Sequence, residues 1–373
     1  MSRTPSDAFI ASTFRLAFLL PFFSGPASLV SSIYMILLLM GKQDDRQRLM
    51  RRPKENFLLG MAILDTLASF SFSFSTLPGN RDFQKPTTAV DYFPHYGNVA
   101  TCNAQGFLQQ LSFGVPLYNM ALSVHYVLTV VFGVQERIIL RYIVPTAHLL
   151  IMGFIFSTAC AALVMKLYNP SGVLGCWIHR VNIDGVASME RGVDANRFTY
   201  IFAGYHLMLS WCVILLSMLA LFIKVRDIEG KSRRFSLREV PTPRSSTSRG
   251  SMELSRRAAD LGLLYSAAFV LVYIPLSLSA VDAVPFGTTF YYFNRVLIAF
   301  FTPLQGVFNL LIYTSDQWLS WFRRRLPSAC CYCCRPLREP INWSTVDLSE
   351  IQDSSAIVDV ENRNQEERAA ATT

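Results

Sequence analysis

Charged residues are scarce in this sequence. Only 16% of its 373 residues are Asp, Glu, Lys or Arg, against 51% apolar, and mean hydropathy is +0.31. A soluble domain carries nearer a quarter charged residues. Histidine is rarer still, and His125, His148 and His206 stand in different apolar runs without metal-ligand spacing or a Ser/Asp pair marking hydrolysis. An intramembrane enzyme, a bound metal and a cofactor are therefore not expected. There is no internal repeat of the kind that builds transporters from duplicated halves. A cleavable leader is not expected either: the first apolar run, 16–40, exceeds the roughly 7–15 residues of a signal core. The net charge of +8 is no nucleic-acid signature, because the basic residues fall in short links between apolar runs.

Those runs are what the sequence has in abundance. A hydrocarbon core of about 30 Å needs about 20 apolar residues of helix. Seven segments qualify: 16–40, 56–77, 103–134, 142–165, 199–225, 259–283 and 290–314. Lipid satisfies no backbone polar group, so they must be helices or closed-barrel strands, and unbroken hydrophobicity selects helices. The predicted class is an all-α membrane protein, a seven-transmembrane helix bundle with a short amphipathic eighth helix.

The links fix an expected orientation. Those after spans 1, 3, 5 and 7 hold Lys42 to Lys54, Arg137 and Arg141, Lys224 to Arg257, and Arg323 to Arg338; the opposite links hold few basic residues, Arg180, Arg191 and Arg197 among them. The positive-inside rule puts the crowded side in the cytosol. This makes 1–15 an extracellular N-terminus and 16–327 the membrane domain, of a plasma-membrane protein. Residues 226–258 form a mobile, polar cytosolic loop, and 328–373 a cysteine-rich segment with a disordered acidic tail. Trp318, Leu319, Trp321 and Phe322, followed by arginines, suit a helix lying in the cytosolic interface.

Cysteines sort by compartment. Cys102 and Cys176 fall outside, where an oxidising medium favours a disulfide over two free thiols; closing that loop is worth about 4–5 kcal/mol by chain entropy. Cys160 and Cys212, inside spans 4 and 5, are expected to pack within the bundle. Cys330, Cys331, Cys333 and Cys334 are too close together to wrap one zinc ion and are juxtamembrane palmitoylation candidates.

Several local motifs then resemble the G-protein-coupled receptors. Span 2 reads Asn56-Phe-Leu-Leu-Gly-Met-Ala-Ile-Leu-Asp65. Span 6 reads Val272-Tyr-Ile-Pro275, similar to a Cys-Trp-x-Pro kink with Tyr273 at the toggle. Span 7 reads Asn309-Leu-Leu-Ile-Tyr313, like Asn-Pro-x-x-Tyr with Leu310 for the proline. The chain departs from the rhodopsin-like class at Val127, where an Asp-Arg-Tyr triplet would stand. The stretch from Cys102 to Gln110, the Gly175-Cys176-Trp177-Ile178 loop and Leu304-Gln-Gly-x-x-Asn309 look more like the slime-mould cyclic-AMP receptor group and its protist relatives.

The resemblance implies a receptor that passes an extracellular signal to a heterotrimeric G protein by rearranging helices 6 and 7. Kinases and arrestin-like proteins would act on loop 226–258 and the tail, and anionic lipids on the basic links. Its switch and polar core would comprise Asp65, Asn119, Ser123, Tyr126, Tyr273, Pro275, Asn309 and Tyr313. A mid-membrane carboxylate needs a buried partner, here Asn309, Asn119 or Ser123, and the centre could bind sodium. His125 reads as a satisfied interhelical donor. By depth and polarity, Gln109, Gln110, Tyr118, Trp177, Tyr205, His206, Asp282, Asn294 and Arg295 are expected to line an outer ligand cavity. A retinal pigment needs a lysine in span 7, and 290–314 has none. A multi-pass transporter or channel for a small solute is the alternative.

Overall fold

Proline sets where most of the helices start or break. The computed structural model describes residues 7–41, 52–81, 95–172, 174–181, 191–236, 245–280 and 288–315. Within them the chain forms seven spans. The first, Ala8–Gly41, is interrupted by a turn at Leu20, before Pro21. The second, Pro53–Phe72, opens on a proline at its first turn, where the missing N–H costs nothing. The third, Val99–Val130, is capped by Asn98, whose side chain accepts from the Ala100 and Thr101 amides while Thr101 caps in return. It breaks at Phe113 because Pro116 cannot bond to the Ser112 carbonyl four residues back.

The fourth span, Glu136–Val164, contains a π turn at Ile139–Ile143 just before Pro145. The fifth starts at Ala195, passes through a π turn at Tyr200–Gly204 and continues as Tyr205–Ser236. The sixth is Ser245–Ala280, with Pro275 inside it. The seventh runs Thr289–Phe301, tightens to a 3-10 turn at Thr302–Leu304 around Pro303, and ends at Tyr313. Five of these spans are long and apolar enough to cross a bilayer on composition alone; the second carries Asp65, and the sixth concentrates its apolar residues in Leu264–Ser279.

The bundle closes by neighbour packing. The first span lies on the second and seventh, the second on the third, and the third on the fourth, fifth and sixth; the sixth bridges the fifth to the seventh. Small residues permit the closest approaches. Gly60 leaves the space filled by the Tyr118 ring, and Gly306 sits against Ser28 and Ser32. Large apolar side chains face outward, Leu149 at 75% and Val164 at 80% exposure among them, an arrangement that water would penalise and lipid accepts.

The link between the fourth and fifth spans adds a hairpin, β1 Tyr168–Pro170 against antiparallel β2 Cys176–Ile178, with Asn169 opposite Trp177. Gly172 and Gly175 turn it with φ of 98° and 91°, conformations that side chains resist. Cys102 and Cys176 are bonded, fixing the hairpin over the third span.

Three expectations need correction. The loop expected at 226–258 is helical through 236 and again from 245. Those residues extend helices already nucleated in the membrane, so each added one costs little, and Arg, Lys, Glu, Met and Ala are good helix formers. Cys160 and Cys212 are exposed on the outside of the bundle rather than packed within it. Span 2 ends at Phe72, well short of 77, because the chain leaves the helix through Ser75 at a positive φ of 49°. The expected interfacial helix, Cys330, Cys331, Cys333, Cys334 and the tail lie outside the described residues, as does Asp282.

Candidate ligand cavity and polar core

The broken third helix, the π turn of the fifth and the kinked sixth and seventh leave a space between them. This cavity has a volume of about 280 Å³, near the lower end of small-molecule sites. Its roof is the disulfide-anchored hairpin, through Leu174, Trp177, Ile178 and His179; its floor is Asp65. Three helix breaks contribute to the wall: Ser112 and Phe113 at the third-span break, Tyr200 and Gly204 at the fifth-span π turn, Thr302 and Pro303 at the 3-10 turn.

The floor is a polar knot. Asn309 donates to the Asp65 carboxylate at 2.6 Å, and the two residues are 1% and 2% exposed. Beside them Ser69 donates to the Ser28 hydroxyl at 2.9 Å, which also accepts the Gly306 amide at 2.9 Å. That amide lies in the first turn of the helix that restarts at Gln305, where N–H groups have no partner in their own helix. Spans 1, 2 and 7 thus meet on one hydroxyl.

The roof is tied down by glutamines of the third span. Gln105 accepts from the Cys176 amide at 2.9 Å and donates to the Ser71 and Ser75 carbonyls. Gln110 donates to the Phe202 carbonyl at 3.0 Å, inside the π turn, and accepts the Trp177 indole N–H at 3.0 Å. Trp177 stacks on Phe113 with ring centres 5.2 Å apart. Two further ties reach the sixth span: Asn294 donates to the Pro275 carbonyl at 3.1 Å and to Ser279 at 2.8 Å, and Trp211 donates to Ser277 at 3.0 Å.

At the rim, His179 is largely open on its outer side, yet the protein crowds its ring. That loss of water, followed by the nearby Arg295 charge, holds the imidazole below its ordinary value. Arg191 donates to Asn103 at 3.1 Å, outside the cavity wall.

The structure divides the expected residues. Gln109, Trp177 and Arg295 line the cavity, as do Asp65 and Tyr273 of the expected switch. Gln110 and Asn294 serve as ties behind the wall. Tyr118 turns to His148 at 2.7 Å, His206 is wedged between the Phe113 and Phe154 rings, and Tyr205 is 69% exposed on the bundle's outer face. Neither Asn119 nor Ser123 partners Asp65; Ser123 donates to the Asn119 carbonyl of its own helix. The Nδ1 of His125 is buried without a partner, against expectation. Tyr126 and Tyr265 are buried in one apolar cluster that joins the third and sixth spans, with Tyr313 packed against it.

Sequence reasoning missed Asn196, Thr199, Thr302 and Gln305 of the wall. Thr302 and Gln305 follow Arg295 at helical spacing, a signal present in the sequence. Asn196 and Thr199 depend on a π turn that no residue pattern announces.

Neither a protein-family model nor a curated protein matches the chain. Its backbone is another matter. A crystal structure of squid rhodopsin superposes with a TM-score of 0.55 over 92% of this chain and 91% of the other, at 14% identity. The chain has the rhodopsin-like seven-helix fold. At that identity the likeness establishes the fold alone, and the long apolar spans make the chain a multi-pass membrane protein.

Proposed function

We propose that the chain is a signalling receptor coupled to a heterotrimeric G protein, with its ligand bound beneath the hairpin. The carrying observation is one continuous cavity that reaches from an anchored roof to a buried carboxylate, walled by the broken parts of helices 3, 5 and 7 and by helix 6 around Pro275. A ligand there touches Ser279, which holds helix 6 to helix 7 through Asn294. It shifts the receptor between two arrangements only by preferring one. Loosening the Asn294 tie at Pro275 would let the inner end of helix 6 swing and open a cleft for the G protein.

The finer parts of the reading are also proposals. The N-terminus is outside and the tail cytosolic, at the plasma membrane. The motifs from Cys102 to Gln110 and from Leu304 to Asn309 ally the chain with the slime-mould cyclic-AMP receptor group, without implying that nucleotide as its ligand. Cys330, Cys331, Cys333 and Cys334 are acylated beside an interfacial helix. Kinases and arrestin-like proteins act on 226–258 and the tail, and anionic lipids gather at the basic inner links.

The deciding experiment is nucleotide exchange on a panel of purified G proteins, with the full chain in nanodiscs and a metabolite library. At least one G protein should respond. Silence across the panel, together with altered solute flux in Asp65→Asn proteoliposomes, would replace the receptor by a transporter.

A further inference from the structure

The seventh span presents the cavity with Arg295, Ile298, Thr302 and Gln305, one helical face whose chemistry changes along its length. At the outer end Arg295 lies over the Tyr291 ring, its guanidinium carbon 4.8 Å from the centroid, and it pairs with no carboxylate among the described residues. His179 of the hairpin is its neighbour on the rim. At the inner end the Thr302 hydroxyl and the Gln305 carbonyl oxygen are buried without a hydrogen-bond partner. Native interiors rarely leave such atoms unsatisfied. Phe72, Val115 and Leu276 wall the space between the two ends. Thr302 is two turns below Arg295, roughly 10 Å along the axis.

A cation at the mouth, an apolar and aromatic middle and unmet acceptors at depth define a complementary guest. We propose that the cavity binds an organic monoanion: a carboxylate at Arg295, a ring-bearing apolar body, and a hydroxyl at the far end donating to Gln305. The proposal rests on the receptor reading, since it assigns the ligand class of that site. A guest of the opposite charge would meet Arg295 unscreened while the floor carboxylate of Asp65 is already engaged by Asn309, and one without the distal hydroxyl would leave Gln305 unsatisfied.

The test needs no G protein. Full-length chain in nanodiscs of zwitterionic lipid is titrated with tritiated 6-phenylhexanoate, with empty nanodiscs subtracted. Competition follows with 6-phenylhexanol, 6-phenylhexylamine and 6-(4-hydroxyphenyl)hexanoate. The acid should bind at least about tenfold more tightly than the alcohol, as a charge-assisted bond gives, and the amine should not compete. The hydroxylated acid should bind several-fold better than the plain one, and Gln305→Leu should erase that gain alone. Arg295→Gln should abolish the preference for the acid and Arg295→Lys should restore part of it, with unchanged melting temperatures. Equal or better binding of the amine overturns the proposal, even if every variant misfolds, because it is read on the native chain. So does an unchanged acid preference in Arg295→Gln. Acid binding without any nucleotide exchange would support the ligand class while sinking the receptor reading; exchange driven by amines would do the reverse.

Discussion

Asn309 and Asp65 share a 2.6 Å hydrogen bond across spans 7 and 2, at the floor of the cavity. Both side chains are almost wholly buried, so each relies on the other for hydrogen bonding. Asp65→Ala should therefore lower stability by about 1–3 kcal/mol, the usual cost of stranding a buried polar partner. Asp65→Asn retains an acceptor and should cost less. Thermal melting of the two variants in one detergent checks the order; equal losses would mean the bond contributes nothing.

Gln110 holds the Phe202 carbonyl and the Trp177 indole together. Gln110→Leu strands both, and the loss should fall at about 1–3 kcal/mol per stranded group. Trp177→Phe removes one bond only. In a double-mutant cycle the two changes should couple by about 0.5–3 kcal/mol, read from melting temperatures. Strict additivity would show that the roof is not tied through this residue.

The Cys102–Cys176 bond fixes the roof over the third span. Cys102→Ser or Cys176→Ser should cost about 4–5 kcal/mol on the chain-entropy estimate for a loop of this size. The double variant should be no worse than either single one. Yield of monodisperse protein and melting temperature measure it.

His95, in the link before the third span, is buried, and its Nδ1–H donates to the Thr76 carbonyl at 3.1 Å. Burial holds the imidazole below 6.5, outweighing that hydrogen bond. The folded chain thus keeps this ring neutral where the unfolded chain would protonate it. Its contribution is complete above about pH 6.5 and shrinks as pH falls toward the lower folded value. Melting temperature should drop on mild acidification, and His95→Gln should flatten that drop. A steeper profile in the variant would contradict the assignment.

Asn294 bonds the Pro275 carbonyl and Ser279, joining helix 7 to the kink of helix 6. Asn294→Leu should release that kink and raise ligand-free nucleotide exchange several-fold under the receptor proposal, since removing about 1 kcal/mol from one state shifts a two-state balance about fivefold. Basal exchange at or below that of the native chain would disconnect this tie from signalling.

Part of the site is legible in the amino-acid sequence. The Asp65–Asn309 pair follows from polar residues placed deep in two apolar runs, since a membrane gives such groups no other partner. The glutamines are less readable. Gln105, Gln109 and Gln110 lie within two turns of one helix, yet Gln105 and Gln110 act as ties while Gln109 faces the cavity and donates to the Leu174 carbonyl. Which direction each takes depends on how the helix is rotated against its neighbours, a property of the packed bundle. Tyr118, Tyr205 and His206 depart from expectation for the same reason: depth is written in the sequence, azimuth is not.

The sequence by itself determined seven hydrocarbon-length helices, their breaks at proline and the carboxylate that must be buried, because a lipid environment leaves the backbone and an ion almost no alternatives. Only the tertiary structure decided where those breaks line up. A cavity forms because the gap after Phe113, the π turn at Tyr200–Gly204 and the 3-10 turn at Thr302–Leu304 face one another beneath the hairpin. Such alignment is set by side-chain packing between helices, which no single span encodes.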